Sequence, residues 1–131
     1  MEVSDVDVPE TLRYTQDHEW LRSEGDEAVV GITAYAADEL GDVVYVELPA
    51  IGRRLQQAEA FGVIESVKTA SDLFAPVAGE VVAVNEALDK APELVNAEPY
   101  GDGWMIRLRP DERAAADELL DAPAYRDRIG G

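Results

Sequence analysis

Cysteine is absent from the 131 residues, which excludes disulfides, a thiol nucleophile and any zinc–thiolate centre. If the chain takes part in dithiol chemistry, both sulfurs have to come from a cofactor. Histidine occurs once, at His18, so few nucleophile and base pairings can be assembled, and no glycine-rich phosphate loop is present. We therefore expect no catalytic constellation and no metal site. Lysine is nearly missing as well: of eleven basic residues nine are arginine, leaving Lys68 and Lys90 as the only side-chain amines. No apolar run is long enough to span a bilayer. The first residues, Met1-Glu2-Val3-Ser4-Asp5, are acidic, unlike a signal or transit peptide. The expectation is a cytoplasmic monomer that neither enters nor lies on a membrane.

What is abundant is negative charge. With 28 acidic residues against 11 basic ones the net charge is −17, which argues against nucleic acid and anionic lipid as partners and favours basic surfaces on other proteins. The same acidity suits a protein from a salt-rich cytoplasm. In either setting, charges exposed to solvent are screened beyond about 8 Å at physiological ionic strength, so encounter rates should depend on salt.

The length fits one domain. Residues 1–11 are short, polar and proline-containing and read as a flexible N-terminal arm, 12–110 as the β-rich body, and 111–131 as a helical extension of the same domain. Leu12 to Tyr14 suits a first short strand. His18–Arg22 and Ala28–Ile32 form a hairpin around Glu24-Gly25-Asp26, with Trp20 in the core. Thr33 is a credible N-cap for a helix over Ala34–Leu40 that Gly41 stops. Asp42–Leu48 is strongly β-prone, a strand lies near Arg53–Leu55, and Trp104–Leu108 alternates as a closing strand. Pro110-Asp111 opens a predicted helix over Glu112–Leu120, with Ala122–Ile129 as one more.

At the centre of the chain, apolar and β-branched residues run from Phe61 to Val67 and resume at Leu73, while Lys68 to Asp72 between them are polar or small. This reads as strand, tight turn, strand, with Lys68 at or beside the tip. An amine on a flexible stem can be acylated where a guanidinium cannot, and Thr69, Ala70 and Ser71 leave room for an enzyme to reach it. Composition alone favours an ordinary solvated turn lysine, because exposed lysines are common and seldom modified. By the same standard His18 reads as a structural hydrogen-bonding residue and Glu19 as an exposed strand carboxylate.

Glu65-Ser66-Val67-Lys68 followed by Ala70-Ser71-Asp72-Leu73, Ala75-Pro76 and Gly79-Glu80-Val81 resembles the lipoyl attachment hairpin of the glycine cleavage system H proteins. Further blocks agree in order: His18-Glu19-Trp20, Val30-Gly31-Ile32-Thr33, Leu40-Gly41-Asp42-Val43, Asn85-Glu86-Ala87-Leu88 and Pro99-Tyr100-Gly101-Asp102-Gly103-Trp104. Biotin carriers share the architecture but flank the lysine with methionines, where this chain has Val67 and Thr69. The family usually places an alanine-glycine turn where this chain has Gln57-Ala58-Glu59.

The resemblance implies a mainly β, lipoyl-domain-like barrel-sandwich hybrid with a short internal helix and C-terminal helices. It implies lipoic acid in amide linkage to Lys68, attached by a lipoate ligase or lipoyl transferase. The chain would be a non-catalytic carrier of the glycine aminomethyl group from glycine decarboxylase (the P protein) to aminomethyltransferase (the T protein), presenting its dithiol to dihydrolipoamide dehydrogenase (the L protein). The loaded arm would fold into a cleft beside the His18-Glu19-Trp20 box, with Glu19 pairing its amine. Glu65 would serve recognition by the lipoylating enzyme, and Asp72 would cap the hairpin or help present Lys68. A lipoate-relay protein or an unmodified interaction domain would show the same hairpin.

Overall fold

The computed structural model describes residues 8–130. Its strands are β1 (Arg13–Tyr14), β2 (Glu19–Glu24), β3 (Glu27–Ile32), β4 (Val43–Glu47), β5 (Arg54–Leu55), β6 (Ala60–Ser66), β7 (Ala70–Phe74), β8 (Gly79–Val84) and β9 (Ile106–Pro110). Helices α1 (Ala34–Leu40), α2 (Leu94–Ala97) and α3 (Ala122–Arg128) are placed between and after them. A six-stranded sheet runs in the order β1-β2-β3-β9-β8-β5, and β4-β6-β7 form a three-stranded sheet. The expected mainly β sandwich with a short internal helix, α1, and a helical C-terminus is what the chain forms, with α2 as a second short helix before β9. None of its described helices is long and apolar enough to cross a membrane.

The two sheets close over one apolar interior to which the large sheet gives Leu21, Val30, Ile106 and Leu108 and the small one Ile64 and Leu73. Alternation along β2 and β3 sends the intervening residues, Trp20 and Val29, to the opposite face. There they meet a second cluster built from Tyr14, Ala122, Tyr125 and Ile129. That end of the sheet is thus covered on both faces, which is why β3 is apolar nearly throughout rather than alternating. Trp20 is paired in register with Gly31, and a Cβ at Gly31 would lie 2.8 Å from the indole. The ring can therefore lie flat over the backbone, with its N–H donating to the Pro99 carbonyl at 2.9 Å.

Thr33 caps α1 by accepting the Ala36 N–H at 3.2 Å, and Gly41 ends the helix at φ 78°. Residues 112–120 differ from the expected helix. Only a 3₁₀ segment forms, Arg113–Glu118, after which Leu119 is extended. Leu120 then exchanges both backbone hydrogen bonds with Tyr14, at 2.8 and 2.9 Å. Helix propensity from the alanines is overridden because this bridge satisfies polar groups on β1, the short edge strand. Of the segment read as an arm, residues 1–7 lie outside those described. Val8 is buried, its carbonyl accepts from Arg126 at 3.1 Å, and Glu10 pairs with Arg126 at 2.6 Å.

Candidate functional site

The strands β6 and β7 pair up to Glu65 and Ala70, which leaves Ser66 to Thr69 as the turn. Ser66 N–H donates to the Thr69 carbonyl at 2.7 Å, and the Ser66 hydroxyl accepts from the N–H groups of Lys68 and Thr69 at 3.3 and 3.2 Å. Val67 N–H bonds the Asp42 carbonyl at 3.0 Å, tying the tip to the start of β4. The backbone under Lys68 is therefore braced while its side chain is exposed and, among the described residues, forms no ion pair. That side chain crosses Gly41 closely enough that a Cβ there would lie 3.4 Å from Cε. Gly41 meets two demands at once, a positive φ at the end of the helix and passage for the lysine stem.

Alongside lies a cleft of about 160 Å³. One wall is α1, through Tyr35, Ala36, Glu39 and Leu40; another is the hairpin, through Ile64, Ser71, Asp72 and Leu73; Asp17, His18 and Glu19 close the third side. Its lining is apolar along the strands and acidic at the rim, and it begins at Leu40 and Ser71, close in sequence to Gly41 and Lys68.

Glu19 is 2% exposed, a correction to the reading of it as an exposed strand carboxylate. The Thr15–Glu19 turn and the end of β7 cover it. One carboxyl oxygen accepts from the Thr15 hydroxyl at 2.7 Å and the other from the Phe74 N–H at 3.2 Å. Burial raises its pKa to about 7, against the opposing pull of those two hydrogen bonds. This carboxylate links the large sheet to the strand that leaves the lysine turn. His18, at φ 73°, places Nδ1 2.8 Å from the Tyr125 hydroxyl and its ring 5.1 Å from that of Tyr35. Its pKa is lowered, first by burial and then by the nearby Arg128 charge.

The structure thus gathers His18, Glu19 and Asp72 around the cleft. Lys68 stands at the tip outside it. Glu65 is exposed and follows Ile64, which lines the cleft, so alternation turns it to the outer face of the small sheet beside its register partner Tyr45. Sequence reasoning placed Tyr35 on the inner face of α1 without giving it a role in a site, and missed Thr15, Glu39 and Tyr125. Glu39 was findable, since a four-residue helical spacing puts it on one face with Tyr35, Ala36 and Leu40. Tyr125 is 107 residues from His18 and carries no local signal.

A sandwich of two small sheets that braces an exposed lysine on a hairpin turn beside a partly apolar, acid-rimmed cleft has the build of a carrier domain. The model of the family described as Glycine cleavage H-protein matches residues 12–130. A Glycine cleavage system H protein of Magnetococcus marinus is 60% identical over 120 residues, covering 92% of this chain and 86% of that one. One from Thermus thermophilus is 59% identical over 122 residues, covering 93% and 95%. The crystal structure of a glycine cleavage system H protein from Mycobacterium marinum superposes with a TM-score of 0.87 at 40% identity, covering 95% of this chain and all of that one. The chain belongs to the glycine cleavage H-protein family, the lipoyl carriers of the glycine cleavage system.

Proposed function

We propose that Lys68 is the lipoyl attachment point and that the chain carries the aminomethyl group of glycine without catalysing its transfer. The observation that supports this most is the contrast at the turn, a hydrogen-bonded backbone holding an exposed amine that forms no ion pair among the described residues. When attached, the lipoyl amide supplies a reversible disulfide and dithiol pair on a long tether, chemistry that a chain without cysteine does not otherwise have. The cleft fits such a group in kind: Ile64, Leu73 and Leu40 suit a hydrocarbon stem, and the acidic rim suits a cationic end.

In this reading Lys68 holds the arm and raises its effective concentration at each partner. Glu65, facing outward, is offered to the lipoate ligase or lipoyl transferase. Glu19 pairs the amine of the cargo through a charge-assisted hydrogen bond. Ionising a buried carboxylate is costly unless a cation compensates it, so a carboxyl raised to about 7 gains most from an ammonium partner. Asp72 contributes a further negative charge at the rim, and His18 closes the side of the cleft. Excluding water there protects the cargo between glycine decarboxylase, aminomethyltransferase and dihydrolipoamide dehydrogenase.

Reconstitution tests this. Lipoylated protein mixed with the three enzymes, glycine, tetrahydrofolate and NAD should support NADH formation that stops when the carrier is omitted or replaced by Lys68→Arg. Lipoylated protein that sustains no turnover, while an authentic H protein does so in parallel, would overturn the assignment.

A further inference from the structure

Tyr125 is fully buried, on a helix that does not line the cleft, yet its hydroxyl contacts two groups that shape it. It lies 2.8 Å from His18 Nδ1 and 2.7 Å from the Thr33 hydroxyl. His18 is in the cleft wall; Thr33 is the N-cap of α1, the opposing wall, where its oxygen accepts the Ala36 N–H at 3.2 Å. Tyr125 itself is fixed by stacking on Tyr14, with centroids 4.6 Å apart and planes 12° from parallel. One proton per hydroxyl suffices for an ordered chain: Ala36 N–H to Thr33, Thr33 O–H to Tyr125, Tyr125 O–H to a bare His18 Nδ1. The chain closes if the neutral imidazole keeps its proton on Nε2. His18 meanwhile holds a left-handed φ of 73°, which a non-glycine residue keeps only when its surroundings enforce it.

We propose that the Tyr125 hydroxyl is a positioning group for the arm cleft, fixing the spacing between His18 and the N-terminus of α1 so that the C-terminal helix governs how well the cleft excludes water. The proposal rests on the reading of the cleft as the refuge of the loaded arm. Tyr125 does not touch the Lys68 turn, so attachment of the arm should not depend on its hydroxyl.

Tyr125→Phe keeps the stacked ring and removes the hydroxyl. Tyr14→Phe is the matched control: it removes another tyrosine hydroxyl from the same ring pair, one that donates to the Pro9 carbonyl at 2.6 Å, away from the cleft. In the unmodified protein, nitrogen NMR should show His18 protonated on Nε2 with a hydrogen-bonded Nδ1. In Tyr125→Phe alone that Nδ1 signal should move to its unbonded position, and amide exchange at Ala36 should quicken roughly fivefold, the size of effect expected from one lost hydrogen bond. In protein loaded by glycine decarboxylase, the second readout is hydrolysis of the carried group, in which one water supplies the oxygen of formaldehyde while the carbon–sulfur and carbon–nitrogen bonds both break, its two protons going to the thiol and to ammonium. Formaldehyde release should be faster from Tyr125→Phe and unchanged from Tyr14→Phe.

Unaltered His18 and Ala36 signals in Tyr125→Phe would overturn the proposal, as would equal acceleration by both variants, which marks a general loss of stability. Altered signals with wild-type lifetime would show that the clamp holds structure without serving the arm. If the wild-type protein protects its cargo no better than free dihydrolipoamide carrying the same group, the refuge reading itself falls, and the role of Tyr125 falls with it.

Discussion

Lys68 and Glu19 are opposite cases of an ionisable side chain. Lys68 is exposed on a turn whose hydrogen bonds are made by backbone and Ser66, so nothing in the core depends on its amine. Lys68→Arg should leave the thermal transition unchanged and accept no lipoyl group, as read by calorimetry and intact mass; an unfolded variant would show that Lys68 supports the fold. Glu19 is buried and its pKa is raised from 4.5 to about 7. Below pH 4.5 the folded and unfolded chains both hold this proton. As pH rises from there towards 7 the unfolded chain releases it while the folded chain keeps it, so stability falls across that window, by about 3 kcal/mol in total, and levels off above. Glu19→Gln, with no proton to lose, should lack this component. Urea midpoints at the two ends of the window should therefore converge or cross between wild type and variant; a constant offset would contradict the assignment.

At the scale of single elements, the turn after β5 holds a residue other than glycine at positive φ. Ala58 sits at φ 67°, the left-handed region that costs a non-glycine residue about 1–2 kcal/mol. The turn is held nonetheless by Ala58 N–H on the Ala75 carbonyl at 2.8 Å and Glu59 N–H on the Gln56 carbonyl at 3.1 Å. Ala58→Gly should relieve the strain at a smaller entropic loss in the unfolded chain, a net gain of roughly 0.5–1 kcal/mol by chemical denaturation; a loss of stability would mean that the backbone there is not strained. Local signals made most elements legible: the Thr33 and Gly41 caps, the hairpin about Lys68 and the apolar strands are each written in a few adjacent residues. What was not legible depends on distant pairing. The predicted helix over Glu112–Leu120 gave way to a bridge between Leu120 and Tyr14, and Glu19 looked exposed because its cover, Thr15 and the end of β7, comes from two separate stretches. The proposed attachment lysine was singled out in sequence by the resemblance of the hairpin around it, since scarcity and turn context alone favoured an ordinary solvated lysine. The cleft was implied only by the resemblance and has no local signal of its own, because its walls come together only once α1 is laid across the small sheet.

For the molecule as a whole, a net charge of −17 sits on a small sandwich whose exposed carboxylates far outnumber its ion pairs, so it should be steered toward basic surfaces. Association rates with glycine decarboxylase or aminomethyltransferase should fall steeply as sodium chloride is raised, while dissociation changes less; salt-independent association in a stopped-flow titration would contradict electrostatic docking. In the proposed reading the architecture presents one arm and shelters its end, and both roles require that the arm be on Lys68. The most direct measurement is therefore intact mass with peptide mapping after expression alongside a lipoate ligase and lipoate. The account predicts a gain of one lipoyl group, located on Lys68 and absent from Lys90. A chain that stays bare while a known H protein is modified in parallel, or that carries the group elsewhere, would contradict it.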